Sequence, residues 1–203
     1  MPPVLWKGIA AGFAIAAPVG PIGLLCIRRT LTAGRLAGLL SGLGAASADL
    51  IYGLAAATGV SALSAWLLRG AWLSLAGALF LVLLGVRTWR EQPGVDSAQP
   101  VSGRLAASFG STFLLTLTNP MTIVSFAGLM AGLGAASASR ANAPFVLAAG
   151  IFLGSAAWWL ILTGTTSVAR HRLPARSLRW INRASALLLI AFGVNMALRM
   201  LVG

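Results

Sequence analysis

Basic residues divide this chain into six long apolar runs, at 8–27, 36–60, 70–86, 105–133, 145–168 and 184–198. A bilayer's hydrocarbon core is about 30 Å thick, and a helix rising about 1.5 Å per residue crosses it in about 20 apolar residues. Each run is therefore predicted to be one helical crossing. The period-two alternation of a transmembrane barrel strand is absent. A backbone in hydrocarbon must satisfy its own amides, so bundled helices are the architecture that fits. The predicted fold is all-α and integral to the membrane. The one extended polar segment, WREQPGVDSAQPVSGR at 89–104, is a linker rich in Pro, Gly and Ser. It splits a single domain, 1–203, into a three-helix half at 1–88 and another at 105–203. Because three is odd, the six transmembrane helices are predicted to form two inverted halves.

Two runs are interrupted near mid-depth, giving broken helices 1 and 4. AAPVGPIGLL at 16–25 places Pro18, Gly20 and Pro21 inside the first, and TLTNPMTI at 116–123 places Asn119 and Pro120 inside the fourth. Proline has no amide hydrogen, so Pro18 and Pro21 leave the carbonyls of Ala14 and Ala17 without helical donors. Such groups are costly at membrane depth unless they face protein or a polar cavity. A lone membrane proline commonly makes only a kink. Matched breaks in the first helix of each half are instead the pattern of a binding site between inverted repeats. The expected binding residues are Pro18, Val19, Gly20, Pro21 and Ile22 from the first break, with Asn119, Pro120 and Met121 from the second.

Asp49 is the one acidic residue inside any run, since Glu91 and Asp96 lie in the polar linker. An intramembrane carboxylate costs at least about 2.5 kcal/mol at mid-depth, so it normally faces a cavity and holds a partner or a proton. Two functions stay open for it: binding a cationic group and exchanging a proton. The structural alternative is a hydrogen bond to Tyr52, one turn on along the same face. Tyr52, Trp158 and Trp159 could line or gate the same cavity, and lipid-facing or interfacial placement accounts equally well for the two tryptophans.

Composition agrees with burial in lipid. Of the 203 residues 58% are hydrophobic and only 9% charged, against about a quarter charged in soluble domains, and mean hydropathy is +0.89. A net charge of +12 would suit nucleic acid, but the basic residues lie in short segments between runs, so no nucleic-acid partner is expected. Arg28, Arg29, Arg35, Arg87, Arg90, Arg104 and the five arginines of RHRLPARSLRWINR, 170–183, fall on one side. Lys7, Arg69, Arg140 and Arg199 fall on the other. The arginine-rich side is predicted to be cytoplasmic, with both termini outside. Anionic lipids are the expected partners of these basic loops, with Trp180 as an interfacial anchor. The first run exceeds the 7–15 residues of a signal-peptide core and carries heavier charge after it than before it, so it reads as a retained helix.

Cys26 is the single cysteine, which excludes an internal disulfide and the thiol pair that electron relay needs. One histidine, one cysteine and one intramembrane carboxylate are too few for a divalent metal site. Neither paired carboxylates, nor a helix histidine, nor a Ser/Lys pair forms a catalytic set at depth. No metal, cofactor or enzymatic activity is expected. Gly8 and Gly12, Gly38 and Gly42, Gly128 and Gly132, and Gly150 and Gly154 repeat at the spacing that permits close helix packing, within the chain or in a homodimer.

The string PVGPIGLLCIRRTLTAGRLAGLLSGLGAASADLIYG at 18–53, with LTNPMTIVSF at 117–126 and GSAAWW at 154–159, resembles the LysE/RhtB family of amino-acid exporters. The resemblance spans essentially the whole chain. Many relatives carry a lysine where this chain has Met121 and a glycine where it has Ala48. The resemblance implies a multi-pass antiporter of the bacterial inner membrane that exports amino acids or small derivatives, with protons as the driving partner. Broken helices suit that cargo, because a half-helix N-terminus favours a carboxylate while freed carbonyls and Asp49 favour an ammonium group. A passive channel and a metal-ion exporter of related fold are the alternatives.

Overall fold

The structure is a computed structural model that describes residues 2–18, 20–58, 71–90, 101–119, 121–126, 143–170 and 175–202. The leading apolar run does not form one helix. Helix α1 (Pro2–Ala16) stops before the first proline, and α2 (Pro21–Ala33) restarts at an angle of 80° to it. Gly20, extended at φ −105°, is the N-cap of α2, and Pro21 opens its first turn. At that position the missing amide would have had no helical acceptor, and proline's fixed φ already matches the helix. The break thus uses Pro21 as a helix start rather than as a gap within a continuous helix.

Helix α2 continues past Ile27, where the first crossing was expected to end, and carries Arg28 and Arg29 to Ala33. Gly34 alone then joins it to α3 (Arg35–Thr58). Its φ of 101° lies in the left-handed region that side-chain-bearing residues avoid. The expected basic loop between the first two crossings is therefore a single glycine, and Arg28 is buried at 5% exposure. The remaining helices are α4 (Ala71–Arg90), α5 (Val101–Leu117), α6 (121–126), α7 (Ala143–Arg170) and α8 (Ala175–Val202). Among the described residues there is no strand. Helical structure also claims both ends of the expected 89–104 linker, of which 91–100 lie outside the described residues.

Among the described residues three helices are long and apolar enough to cross a membrane, over Arg35–Ala55, Ala143–Ala169 and Arg179–Leu198, and the bent α1–α2 pair counts as a fourth if it is one span. The fourth predicted run is divided: α5 ends at Leu117, α6 follows the break, and residues 127–142 lie outside the described residues. Gly128 and Gly132 fall there too.

Packing joins residues before the linker to residues after it. Helix α1 lies on α7, α4 on α8, and α3 between α5 and α7, while α2 packs on α3 and touches α7 and α8. The α1–α7 crossing is backbone against backbone. A Cβ at Gly8 would stand 2.9 Å from the Cα of Gly150, and one at Gly12 would collide with the Ile151 carbonyl. Two Gly-x-x-x-Gly pairs, Gly8/Gly12 and Gly150/Gly154, thus meet within the chain, where small residues let helices approach closely. Large apolar side chains face outward while several polar ones lie inside the bundle. Leu75, Leu79 and Leu83 on α4, and Leu187, Leu188 and Phe192 on α8, are exposed, whereas Ser41, Asp49, Thr112, Ser155 and Thr163 are buried.

Candidate functional site

The buried carboxylate organises the centre of the bundle. Asp49 is 3% exposed on α3, in a stretch where Ala45, Ala46 and Ala48 let neighbouring helices close around it. Ser155 of α7 donates its hydroxyl to Asp49 Oδ2 at 2.7 Å. Trp159, one turn further along α7, donates its indole N–H to Ser155 Oγ at 3.1 Å. Trp159 is held by Gly42 of α3, which has no side chain to keep the indole base away.

Tyr52 is not the partner of Asp49 that the sequence suggested as a structural alternative. Its hydroxyl donates instead to the carbonyl of Leu117 at 2.6 Å, and its ring stacks on Phe126 with centroids 5.3 Å apart. The geometry of the second break explains this contact. Pro120 offers no amide, and the carbonyl of Thr116, which would need it, is met by Asn119 N at 3.3 Å. The amide of Met121, which would close on Leu117 in a continuous helix, bonds Asn119 Oδ1 at 3.2 Å. Asn119 thereby caps α6 in the manner of an N-cap side chain, and its carbonyl also accepts from Ile123 N at 3.1 Å. The Leu117 carbonyl is released by the break, and Tyr52 satisfies it.

At the first break, Ala17 N closes on the Phe13 carbonyl at 2.9 Å and Leu24 N on Gly20 at 3.0 Å. Pro18 is exposed, Gly20 and Pro21 are half-buried and Ile22 is buried. Open space lies where a Cβ of Gly20 would point, with nothing within 4 Å. Val19 and Pro120 lie outside the described residues. Residues beside both breaks converge on α3 and α7: Ala16 and Ile22 share an apolar cluster with Leu115 and Trp159, while Ile15 and Leu117 pack on the cluster containing Tyr52 and Phe126. Met121 contributes its amide to this arrangement, but its side chain is 69% exposed. Trp158 meets Phe13 of α1 edge to face at 5.3 Å, so the two tryptophans turn into the bundle rather than to lipid.

Two arginines expected to lie at headgroups are structural ties instead. Arg28 Nε donates to Asn182 Oδ1 at 2.6 Å, and Asn182 Nδ2 donates to the Thr88 carbonyl at 2.6 Å. This joins α2 to α8 and α4. Arg29 donates to Ser41 Oγ, to the Ser108 carbonyl, to Thr112 Oγ1 and to Ser111 Oγ, all between 2.7 and 3.0 Å. That fork fastens α2 to α3 and α5. Asn182 belongs to the basic segment 170–183, whose residues from Ala175 onward are helical. Trp180 remains exposed, and Arg183 lies over the Trp89 ring at 5.8 Å.

Sequence reasoning missed Ser155 and the arginine ties. Ser155 was visible only as one letter of the GSAAWW motif, and a serine within a membrane helix usually bonds its own backbone. The arginine site had a signal: Ser108, Ser111 and Thr112 form a hydroxyl stripe at the spacing of one helix face. Among the described residues no group of three or more His, Cys, Asp or Glu could hold a metal ion.

An all-helical, multi-pass chain with large apolar side chains on its exterior, a hydrogen-bonded carboxylate among its buried polar groups and two interrupted helices is built as a membrane transporter. The model of the LysE type translocator family matches residues 13–200, and the chain belongs to that family. It is 28% identical over 189 residues to a Bacillus subtilis (strain 168) protein provisionally named amino acid efflux protein YcgF, covering 91% of this chain and 90% of that one. It is 30% identical over 151 residues to the chemotactic transduction protein ChpE of Pseudomonas aeruginosa (strain PAO1), covering 72% of this chain and 74% of that one. No solved structure matches the chain.

Proposed function

We propose that this translocator exports amino acids or small derivatives across the bacterial inner membrane in exchange for protons, with Asp49 as the coupling group. The observation that carries this reading is the placement of Asp49: a buried carboxylate, hydrogen-bonded to α7, on the helix whose Tyr52 holds the released carbonyl of the second break. The name of the Bacillus relative supports the class of cargo.

In this reading the chain has six crossings in two inverted halves, with both termini outside. The contact pattern supports it. A two-fold axis in the membrane plane would exchange crossings 1 and 4, 2 and 5, and 3 and 6. The packing of α1 on α7 then becomes that of α5 on α3, while α3 on α7 and α4 on α8 map onto themselves, and these are the main contacts of the bundle. The turns at Pro18, Val19, Gly20, Pro21 and Ile22 and at Asn119, Pro120 and Met121 hold the cargo. Half-helix amides receive its carboxylate, and Asp49 receives its ammonium group. Tyr52, Trp158 and Trp159 line the path. A proton arriving from outside displaces the ammonium from Asp49, and its release to the cytoplasm resets the carboxylate.

Export against an imposed pH gradient in proteoliposomes tests the proposal. Asp49→Asn keeps shape and hydrogen bonding but cannot change charge, so gradient-driven accumulation is lost, and with the carboxylate that receives the ammonium gone only weak substrate binding is left. An asparagine variant that concentrates substrate to the wild-type level makes Asp49 structural. Transport by the wild type that ignores the gradient favours the channel reading.

A further inference from the structure

Most buried hydroxyls in these helices bond their own backbone. Thr30, Ser41, Thr112, Thr116 and Thr163 each donate to the carbonyl four residues earlier. Ser155 does not: it is fully buried, and its proton goes across to α3. The carbonyl it would otherwise use, that of Ile151, is the one against which Gly12 of α1 is pressed.

The direction of this contact is fixed by chemistry. An indole nitrogen can only donate. Trp159 Nε1 therefore fills an acceptor site on Ser155 Oγ, and the single hydroxyl proton of Ser155 is left to point at Asp49 Oδ2. A carboxylic acid carries its proton on one oxygen and accepts with the other. With Oδ2 receiving a hydrogen bond, the proton that Asp49 takes up belongs on Oδ1.

We infer that Trp159 and Ser155 form a one-way hydrogen-bond chain that reserves Asp49 Oδ2 for the protein and leaves Oδ1 as the atom that exchanges proton and cargo. Trp159 and Ser155 are positioning residues in this scheme, acting through Asp49. The inference rests on the proposed role of Asp49 and adds which oxygen acts and what selects it. Other titratable or charged groups do not supply the same control. Tyr52 on α3 is engaged with Leu117. On the helices packed against α3, Arg28 and Arg29 of α2 donate to the acceptors given above, Cys26 is buried in the apolar cluster, Arg104 of α5 is exposed, and α7 carries no ionisable residue from Ala143 to Ala169.

Infrared difference spectra between acid and neutral pH, recorded on the full chain in proteoliposomes, read this arrangement directly. The chain has only three acidic residues, so Asp49→Asn identifies the protonated carboxyl band of Asp49 by deleting it. In the wild type the carbonyl stretch is lowered because Oδ2 accepts from Ser155. Ser155→Ala moves the band to higher wavenumber, and Ser155→Thr, which restores a hydroxyl, brings it back. Trp159→Phe leaves Ser155 in place but frees its oxygen to accept the acid proton, so a second, higher band appears beside the first. A merely structural role for Trp159 predicts one unmoved band with reduced protein yield. If Asp49→Asn leaves every carboxyl band intact, Asp49 takes up no proton and the coupling reading itself falls. If Asp49→Asn deletes the band but Trp159→Phe and Ser155→Ala leave it unmoved, the one-way chain is wrong while coupling at Asp49 stands.

Discussion

The hydroxyl of Tyr52 lies 2.6 Å from the carbonyl of Leu117, a bond between the helix that carries Asp49 and the last residue before the second helix break. It couples the carboxylate's own helix to the segment proposed to hold cargo. Any movement of α5 relative to α3 must keep or replace it.

Tyr52→Phe tests how much this bond holds. The ring can still stack on Phe126, but the Leu117 carbonyl loses its donor, and an unsatisfied buried acceptor costs about 1–3 kcal/mol. The expected result is a lowered melting temperature in detergent together with export reduced several-fold, while Asp49 and Ser155 are untouched. Unchanged stability would show that the carbonyl finds another donor and that the tie is dispensable.

Two glycine substitutions separate folding from function. Gly12→Leu forces a side chain into the Ile151 carbonyl across the α1–α7 crossing, so folded, monodisperse protein is expected to disappear. Gly20→Ala adds a methyl group to open space at a backbone conformation alanine adopts freely, so yield and melting temperature should match the wild type. Reduced export or weaker substrate binding in Gly20→Ala then reports on the proposed site. Wild-type transport in that variant would remove Gly20 from it.

Orientation is testable by thiol labelling. Cys26 is fully buried in the apolar cluster, so Cys26→Ala, which adds no hydroxyl there, gives a cysteine-free background. The excess of basic residues on one side persists after buried Arg28 and half-buried Arg29 are set aside as ties between helices. An impermeant reagent added to intact cells is expected to label Gly203→Cys and to leave Ser177→Cys untouched. The reverse pattern overturns the proposed topology.

Much of the architecture was legible in the sequence because hydrocarbon imposes a simple rule. Apolar run length bounds where helices lie, and proline's missing amide marks where they stop: helix ends at Ala16 and Leu117 and resumes at Pro21 and Met121, on either side of the prolines and glycine that predicted the interruptions. The solitude of Asp49 among the acidic residues and the glycine pairs of α1 and α7 were likewise visible. What remained hidden depended on partners distant in sequence. Arg28 and Arg29 read as loop charges because composition cannot show that a helix continues when acceptors 12 to 154 residues away satisfy its guanidinium groups. Tyr52 stood as a structural alternative partner of Asp49 because neighbours on one helix face are what a sequence displays, whereas the carbonyl that captured it was released by a break on another helix. Ser155 was ordinary until packing pressed Gly12 against the Ile151 carbonyl and set Asp49 within reach. The sequence by itself determined the all-helical, apolar character of the chain and where its proline-bearing backbones fail. Only the tertiary structure decided which side chains satisfy the groups those failures release, because each hydrogen bond is made across helices and depends on distances no linear pattern contains.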